Sequence, residues 1–409
     1  MLKRAITPIL KKALTRSPVV LLNGARQVGK TTLALELLKE KNYTYITFDD
    51  EMVFLAAKNN PAAFIADLPK PVIIDEVQRV PELFLVIKRD VDAYRQPGRY
   101  LLTGSANPLL IPRLGDSLAG RMEVIDLMPL SQGEIMQQEE KFIDLIFSET
   151  LLRSPKNNVT KKALYATMIT GGYPSVQNVD QETRDAWLRS YLNLLLQKDI
   201  KDLAHIEKLT ELPNLLKLLA ARASGLLNVA DLARDSKLVA KTLHRYLPLL
   251  QAIFIINTQP AWSANMSVRF VKAPKLYFID AGLLLYLLDI SMERALEDSV
   301  YMGKVLENFV IGELKKQATW STQKVNLYHF RARGGEEVDA VLENRSGAIV
   351  GIEIKASTHV GPQDFKGLSF LQEKVGKKFV RGIVLYTGAQ YVPFGERLCA
   401  LPIKALWEQ

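Results

Sequence analysis

Apolar positions repeat along this chain with two different periods, and the changes between them mark its elements. From residue 4 to 15, Ile6, Ile9, Leu10 and Leu14 recur at helical spacing, which predicts an amphipathic helix. A run of strand length, VVLLN (19–23), follows. From there to about residue 135 strand-like and helix-like stretches alternate: TTLALELLKE, YITFD, PVIID, LFLVIKRDVDAYR and RYLLTGS. Short apolar strands separated by helices predict a parallel sheet covered on both faces. Beyond 136 the pattern is helical, through FIDLIFSETLL, TKKALYATMIT and TRDAWLRSYLNLLLQKDIKDL, with GGYPS (171–175) as a Gly/Pro break.

Between 206 and 289, ELPNLLKLLAAR, VADLARDSK and AKTLHRYLPLLQA predict three helices, and FIINTQ and KLYFID two strands. That order is the pattern of a winged helix-turn-helix. The final stretch opens with a helix at GKVLENFVIGELKKQ. Strands follow at VNLYHFR, EVDAVL and IVGIEIKA, then a helix at DFKGLSFLQEKV and a strand at VRGIVLYT. The reading is a multidomain α/β protein with a three-layer α/β/α unit at 1–135, a helical segment at 136–205, a winged helix at 206–289 and a second α/β domain at 290–409.

Composition narrows the class. Of 409 residues 48% are apolar and 24% charged, enough to build cores and to exclude wholesale disorder. A formal charge of +9 favours polyanionic partners such as nucleic acid or nucleotides. Cys399 is the single cysteine, which excludes an intramolecular disulfide and a cysteine-rich zinc module. Lys11, Lys12 and Arg16 interrupt the N-terminal apolar run, and the longest later run, Gly282 to Leu288, falls far short of the roughly 20 residues a membrane span needs. A soluble, cytoplasmic protein with no membrane partner is expected.

The densest chemistry lies at Gly24-Ala25-Arg26-Gln27-Val28-Gly29-Lys30-Thr31-Thr32, which fits G-x-x-x-x-G-K-[ST] between a strand and a helix. Glycines let backbone N–H groups wrap phosphates, and the helix N-terminus adds its positive end. Lys30 is expected to reach the β- and γ-phosphates of ATP and Thr31 to ligate Mg²⁺. PVIIDE supplies Asp75 to orient the metal and Glu76 to polarise the attacking water. At the end of YLLTGSAN, Ser105 or Asn107 is the candidate sensor of the γ-phosphate, ahead of Thr103. Arg121, in SLAGR, is a candidate arginine finger for a neighbouring subunit's nucleotide, which puts a homo-oligomer among the expectations.

LLNGARQVGKTT, with YITFDDE, VIIDEVQRVPELF, YLLTGSAN and SLAGR, resembles the bacterial and archaeal AAA-type ATP-binding proteins that carry a C-terminal domain of unknown function. GGYPS, KLYFIDAGLLLYLL, GKVLENFV, EVDAVL, IEIKAS and LPIKALWE extend the resemblance over nearly the whole chain. It implies ATP binding and hydrolysis, and leaves the substrate open.

In the third unit the helix of AKTLHRYLPLLQA is expected to bury Leu243, Leu247 and Leu250. It would turn Lys241, Thr242, Arg245 and His244 outward, with Lys237 just before them. Such residues can contact DNA phosphate or a guanine edge. The segment is only mildly basic, so a structural or protein-binding role stands beside DNA contact.

The last unit carries acids in strand positions. Glu337, Asp339 and Val341 share one face of their strand, as do Glu353 and Lys355 of theirs. If the two strands pair, Asp339 and Glu353 offer oxygens for a second Mg²⁺ or Mn²⁺, and Glu307 of the preceding helix could add a third. Lys355 would position or deprotonate a water or stabilise a pentacovalent phosphate. The D-x₁₃-E-x-K spacing and the element order resemble the PD-(D/E)XK nuclease fold, although Glu337-Val338 precede the aspartate where that family has proline. Two functions follow: an ATPase driving a DNA-processing nuclease-like domain, or a nucleotide-dependent switch whose C-terminal units bind DNA or protein without cutting.

Overall fold

The computed structural model describes residues 2–40, 42–106, 118–150, 154–155, 159–200 and 209–408. Five strands, β1 (Val19–Asn23), β2 (Thr44–Thr47), β3 (Val72–Asp75), β4 (Tyr100–Gly104) and β5 (Met122–Asp126), form one sheet in the order β2-β3-β4-β1-β5. Every pairing in it is parallel. Alternation along β1 shows why both faces must be covered. Val20 and Leu22 enter a core with Leu33, Ala34 and Leu37 of helix Lys30–Glu40. Val19 and Leu21 enter a second core with Leu83, Phe84, Ile87 and Val91 of helix Leu83–Ala93. The result is the expected three layers.

Strand β4 lies between β1 and β3. The loop leaving β1 and the acid ending β3 therefore straddle the end of β4, where Thr103, Gly104 and Ser105 sit. This insertion brings the candidate residues of three motifs to one edge of the sheet.

The helical segment contains Phe142–Ile146, Lys161–Thr170 and Gln181–Leu194, the last continuing into a wider turn at Leu195–Asp199. Helices Leu212–Ala221, Val229–Ser236 and Ala240–Ala252 come next. They lead to an antiparallel pair, β6 (Ile256–Gln259) and β7 (Lys275–Phe278), joined through a short helix at Met266–Val271. Leu243, Leu247 and Leu250 are buried, while Lys241, His244 and Arg245 are exposed.

Helix Ser299–Trp320 opens the last unit. Its sheet contains β8 (Val325–Arg331), β9 (Glu337–Asn344), β10 (Ile349–Lys355), β11 (Phe379–Tyr386), β12 (Val392–Pro393) and β13 (Leu398–Pro402), ordered β12-β13-β11-β10-β9-β8. Strands β8, β9 and β10 run antiparallel, then β10, β11 and β13 run parallel. The sheet is mixed, with helix Lys366–Val375 against it. The two final strands were not legible in the sequence: β12 is two residues long and contains a proline, and LCALP alone has too few alternating positions to declare itself. Cys399 lies buried on β13, its thiol pushed up to about 11 by burial.

One apolar core runs from Ile6 through Leu164, Leu219 and Leu284 to Trp407, so the units are fused by packing as well as by the chain. Among the described residues no helix is long and apolar enough to cross a membrane.

Candidate functional site

The P-loop takes its shape from two glycines. A Cβ on Gly24 would lie 2.2 Å from Leu127 O, and Gly29 has φ +97°, a conformation that costs L side chains energy. Lys30 and Asp75 are 4% and 3% exposed. The Lys30 ammonium donates to Gly24 O at 2.9 Å and Ala25 O at 2.8 Å, so it lies inside the loop. Thr31 Oγ1 donates to Asp75 Oδ2 at 2.9 Å, which sets side by side the hydroxyl and carboxylate expected to hold Mg²⁺. Tyr45 OH also donates to Asp75 Oδ2, at 3.0 Å, and Thr103 Oγ1 donates to Asp75 Oδ1. Burial, and then Asp75, push the Tyr45 phenol up to about 12, so it acts as a donor throughout the neutral range.

Glu76 has a left-handed backbone, φ +57°, strained for a residue with a side chain. Its Oε2 accepts from Ser105 Oγ at 3.1 Å and from Gln78 Nε2, and Gln78 Nε2 also meets Ser105 Oγ at 2.9 Å. Ser105 therefore faces Glu76, and Thr103 serves Asp75. Asn107, the other sensor candidate, lies outside the described residues. Arg121 is ion-paired with Asp92 at the far end of the sheet from the P-loop, so it does not reach the nucleotide edge of its own chain.

Two loop residues make further contacts, and a third has a left-handed backbone. Val28 O accepts from Arg4 Nη1 at 2.6 Å, Arg26 O accepts from Tyr191 OH at 3.4 Å, and Gln27 has φ +61°. Tyr191 stacks on Trp187 at 4.9 Å and shares a hydrogen bond with Tyr173 at 3.0 Å, so the GGYPS break and helix Gln181–Leu194 abut the loop. Arg4 donates also to Met128 O at 2.6 Å and to Glu134 Oε1 at 3.0 Å. The sequence pattern pointed to neither Arg4 nor Gln78, because each acts through a partner distant in the chain or through a side chain with no motif of its own.

The acids of the C-terminal unit are arranged differently from the expectation. Glu307 Oε1 and Asp339 Oδ1 both contact the ammonium of Lys275, at 2.7 and 3.0 Å, and Tyr277 OH donates to Glu307 Oε1 at 2.7 Å. Asp339 Oδ2 accepts from Ile354 N at 3.0 Å. Glu353 pairs with Lys355 at 3.0 Å, leaving Glu353 Oε2 buried without a partner. Among the described residues no group of three or more His, Cys, Asp or Glu is set to hold a metal ion. A lysine from β7 thus stands between Glu307 and Asp339, two of the acids expected to hold a second metal, while Glu353 pairs with Lys355.

Burial, and then the charge of Asp339, push Glu307 up to about 7 and Glu353 up to about 8. Burial disfavours the Lys275 charge, but Asp339 and Glu307 outweigh it and keep the ammonium above the usual lysine range. Lys355 is likewise held cationic by Glu353 against its burial, which suits it to stabilise charge and not to accept a proton.

The parallel sheet, the phosphate loop and the Thr31–Asp75 pair define an AAA-type P-loop ATPase. Residues 16–136 match the family model described as an AAA domain, and residues 161–294 and 302–406 match two described as domains of unknown function, DUF8612 and DUF4143. The chain belongs to one family with two mycobacterial proteins, named Uncharacterized protein Rv2008c of Mycobacterium tuberculosis and Uncharacterized protein Mb2031c of Mycobacterium bovis. It is 31% identical to each over 395 residues, 96% of this chain and 82% of theirs.

Two solved structures show looser likeness. A Walker-type ATPase of Pyrococcus abyssi has 17% identity and a TM-score of 0.42, covering 69% of this chain and 94% of that one. The Thermotoga maritima RuvB Holliday junction branch migration motor has 20% identity and a TM-score of 0.29, covering 63% and 90%. Superpositions this loose say nothing more about this chain.

Proposed function

We propose that the protein binds and hydrolyses Mg-ATP at the P-loop and passes its nucleotide state to a winged helix and a nuclease-like C-terminal domain that engage DNA. The observation that carries the ATPase reading is the Thr31–Asp75 contact of 2.9 Å beside a loop already enclosing the Lys30 ammonium. Gly24 to Thr32 would hold the phosphates, with Thr31 and Asp75 on the metal. Bound Mg²⁺ supplies charge neutralisation for the departing phosphate. Glu76 orients and polarises the attacking water, and Ser105 and Gln78 fix where its carboxylate points. Arg121 is exposed enough to serve a neighbouring subunit in an oligomer once it leaves Asp92.

For the C-terminal units, the ion pairs of Lys275 with Glu307 and Asp339 favour binding without cleavage over cutting. Lys237, Lys241, Thr242, His244 and Arg245 would face the nucleic acid. Two experiments test these readings. Lys30→Ala should abolish nucleotide affinity, and tight ATP binding by that variant refutes the P-loop assignment. Plasmid and single-stranded DNA should stay intact with Mg²⁺ or Mn²⁺; cleavage lost in Asp339→Ala and Lys355→Ala would make the domain an active nuclease.

A further inference from the structure

Glu307 and Asp339 come from helix Ser299–Trp320 and from β9, but what joins them is a residue of another unit. Lys275 and Tyr277 alternate with apolar neighbours on β7 and so present one face, and that face lies on Glu307. The side chains of Lys275, Glu307 and Asp339 are 9%, 14% and 13% exposed. The other oxygen of Asp339, Oδ2, accepts from Ile354 N of β10.

Strand β7 is a fixed support for this lysine. Phe278 N donates to Asn308 Oδ1 at 2.7 Å, and Asn308 Nδ2 donates to Phe278 O at 3.2 Å. Ser224 N donates to Leu276 O at 2.7 Å. On the β6 side, His329 N of β8 donates to Pro260 O and Trp262 N donates to His329 O. These contacts bolt the hairpin to the long helix and to the sheet edge.

A hard divalent cation needs carboxylate oxygens at roughly 2.0–2.6 Å with several ligands converging. Oxygens already engaged by a buried ammonium cannot supply that geometry at the same place. We propose that Lys275 is the resident cation of this acid cluster: a tethered ammonium that takes the place of a divalent metal and locks the β6–β7 hairpin to the C-terminal sheet. The inference rests on the nuclease-like reading of that sheet. Charge is then met from within the chain, Lys275 serving Glu307 and Asp339 while Lys355 serves Glu353. The consequence is a domain built to bind and not to cut.

The test uses the nucleotide-free full chain, with thermal unfolding and Mn²⁺ uptake by EPR measured for wild type, Lys275→Met, Asp339→Asn and the double variant. Wild type and Asp339→Asn should take up equal Mn²⁺, and Mn²⁺ should leave the wild-type Tm unchanged. Lys275→Met should melt earlier in chelator and regain roughly 3 °C or more with Mn²⁺, a gain absent from the double variant. An extra ion bound by wild type and lost in Asp339→Asn overturns the replacement alone. A folded Lys275→Met that takes up no extra Mn²⁺ overturns both the replacement and the nuclease-like reading. Should Lys275→Met not fold, the comparison of wild type with Asp339→Asn decides. ATP binding on the same samples tests the P-loop independently.

Discussion

Arg4 stands 3.0 Å from Glu134, and the same guanidinium donates to carbonyls of Val28 and Met128. One residue near the start of the chain thus ties the phosphate loop to the segment that leaves β5. Glu134 in turn caps the helix at Gln132–Met136 through Ser131. Arg4→Ala leaves the buried Glu134 carboxylate with only backbone donors. The expected loss is about 3–5 kcal/mol of stability, read by chemical denaturation. ATP affinity should also weaken, measured by titration with a fluorescent nucleotide. Arg4→Lys should rescue neither, because the three acceptors are met by three different nitrogens of the planar guanidinium, a spread that one ammonium nitrogen cannot reproduce.

Glu76→Gln should keep ATP affinity and lower turnover by roughly 10²–10⁴, the range for loss of a positioned general base. Ser105→Ala removes one of two donors on that carboxylate, so its expected effect is smaller, about tenfold in kcat with KM little changed. Steady-state phosphate release on both variants checks the order. Equal losses would place Ser105 on the phosphate itself.

Glu140 is buried between Ser131 and Gly133, accepting from Ser131 Oγ at 2.5 Å and Gly133 N at 3.0 Å. Burial, and then Glu313, push it up to about 8. A carboxyl whose folded pKa is raised binds its proton more tightly when folded. Its stabilising effect is complete below about pH 4 and is lost as pH rises to about 8. Glu140→Gln should flatten that part of the stability profile, measured by denaturant melts from pH 5 to 9.

Leu243→Ala should cost about 2–5 kcal/mol, as a fully buried leucine in a helix does. The exposed pair Lys241→Glu with Arg245→Glu should leave the melt nearly unchanged. On the DNA-contact reading it should weaken affinity for all sequences alike and reduce the salt slope by roughly two. Unchanged DNA affinity would make this helix a spacer.

Asn308 answers both backbone groups of Phe278 from a buried position. Asn308→Ala leaves a donor and an acceptor unpaired, about 1–3 kcal/mol for each, and should speed hydrogen exchange at Phe278 ahead of the rest of β7.

What the sequence revealed follows how local each signal is. The P-loop declares itself because its motif occupies eight consecutive residues, Gly24 to Thr31, and β1, β3 and β4 because burial on both faces leaves unbroken apolar runs. The leucine stripe of helix Ala240–Ala252 was legible for the same reason. Lys275 was not. In KLYFID it reads as the polar start of a strand, and its two acids lie 32 and 64 residues further on. Period-2 alternation placed Asp339 and Glu353 on faces, but it cannot say what a third element brings onto those faces. Gln78 escaped likewise, having no spacing rule to mark a residue whose side-chain amide meets Glu76 and Ser105.

The long helix of the last unit has contacts of two kinds along its length. Glu313 Oε2 accepts from Gln132 N and Lys316 Nζ donates to Leu130 O, both in the segment leaving the ATPase sheet. Glu307, two turns earlier, is the residue seized by Lys275. At 1.5 Å per residue the two stations are roughly 9 Å apart on one rigid rod. On the coupled reading proposed above, a shift of Leu130–Gln132 on nucleotide binding would reach Glu307 as a push or a twist of this helix, since both stations lie on it. In that reading the helix is a crankshaft, and its far journal is the Lys275–Glu307 ion pair.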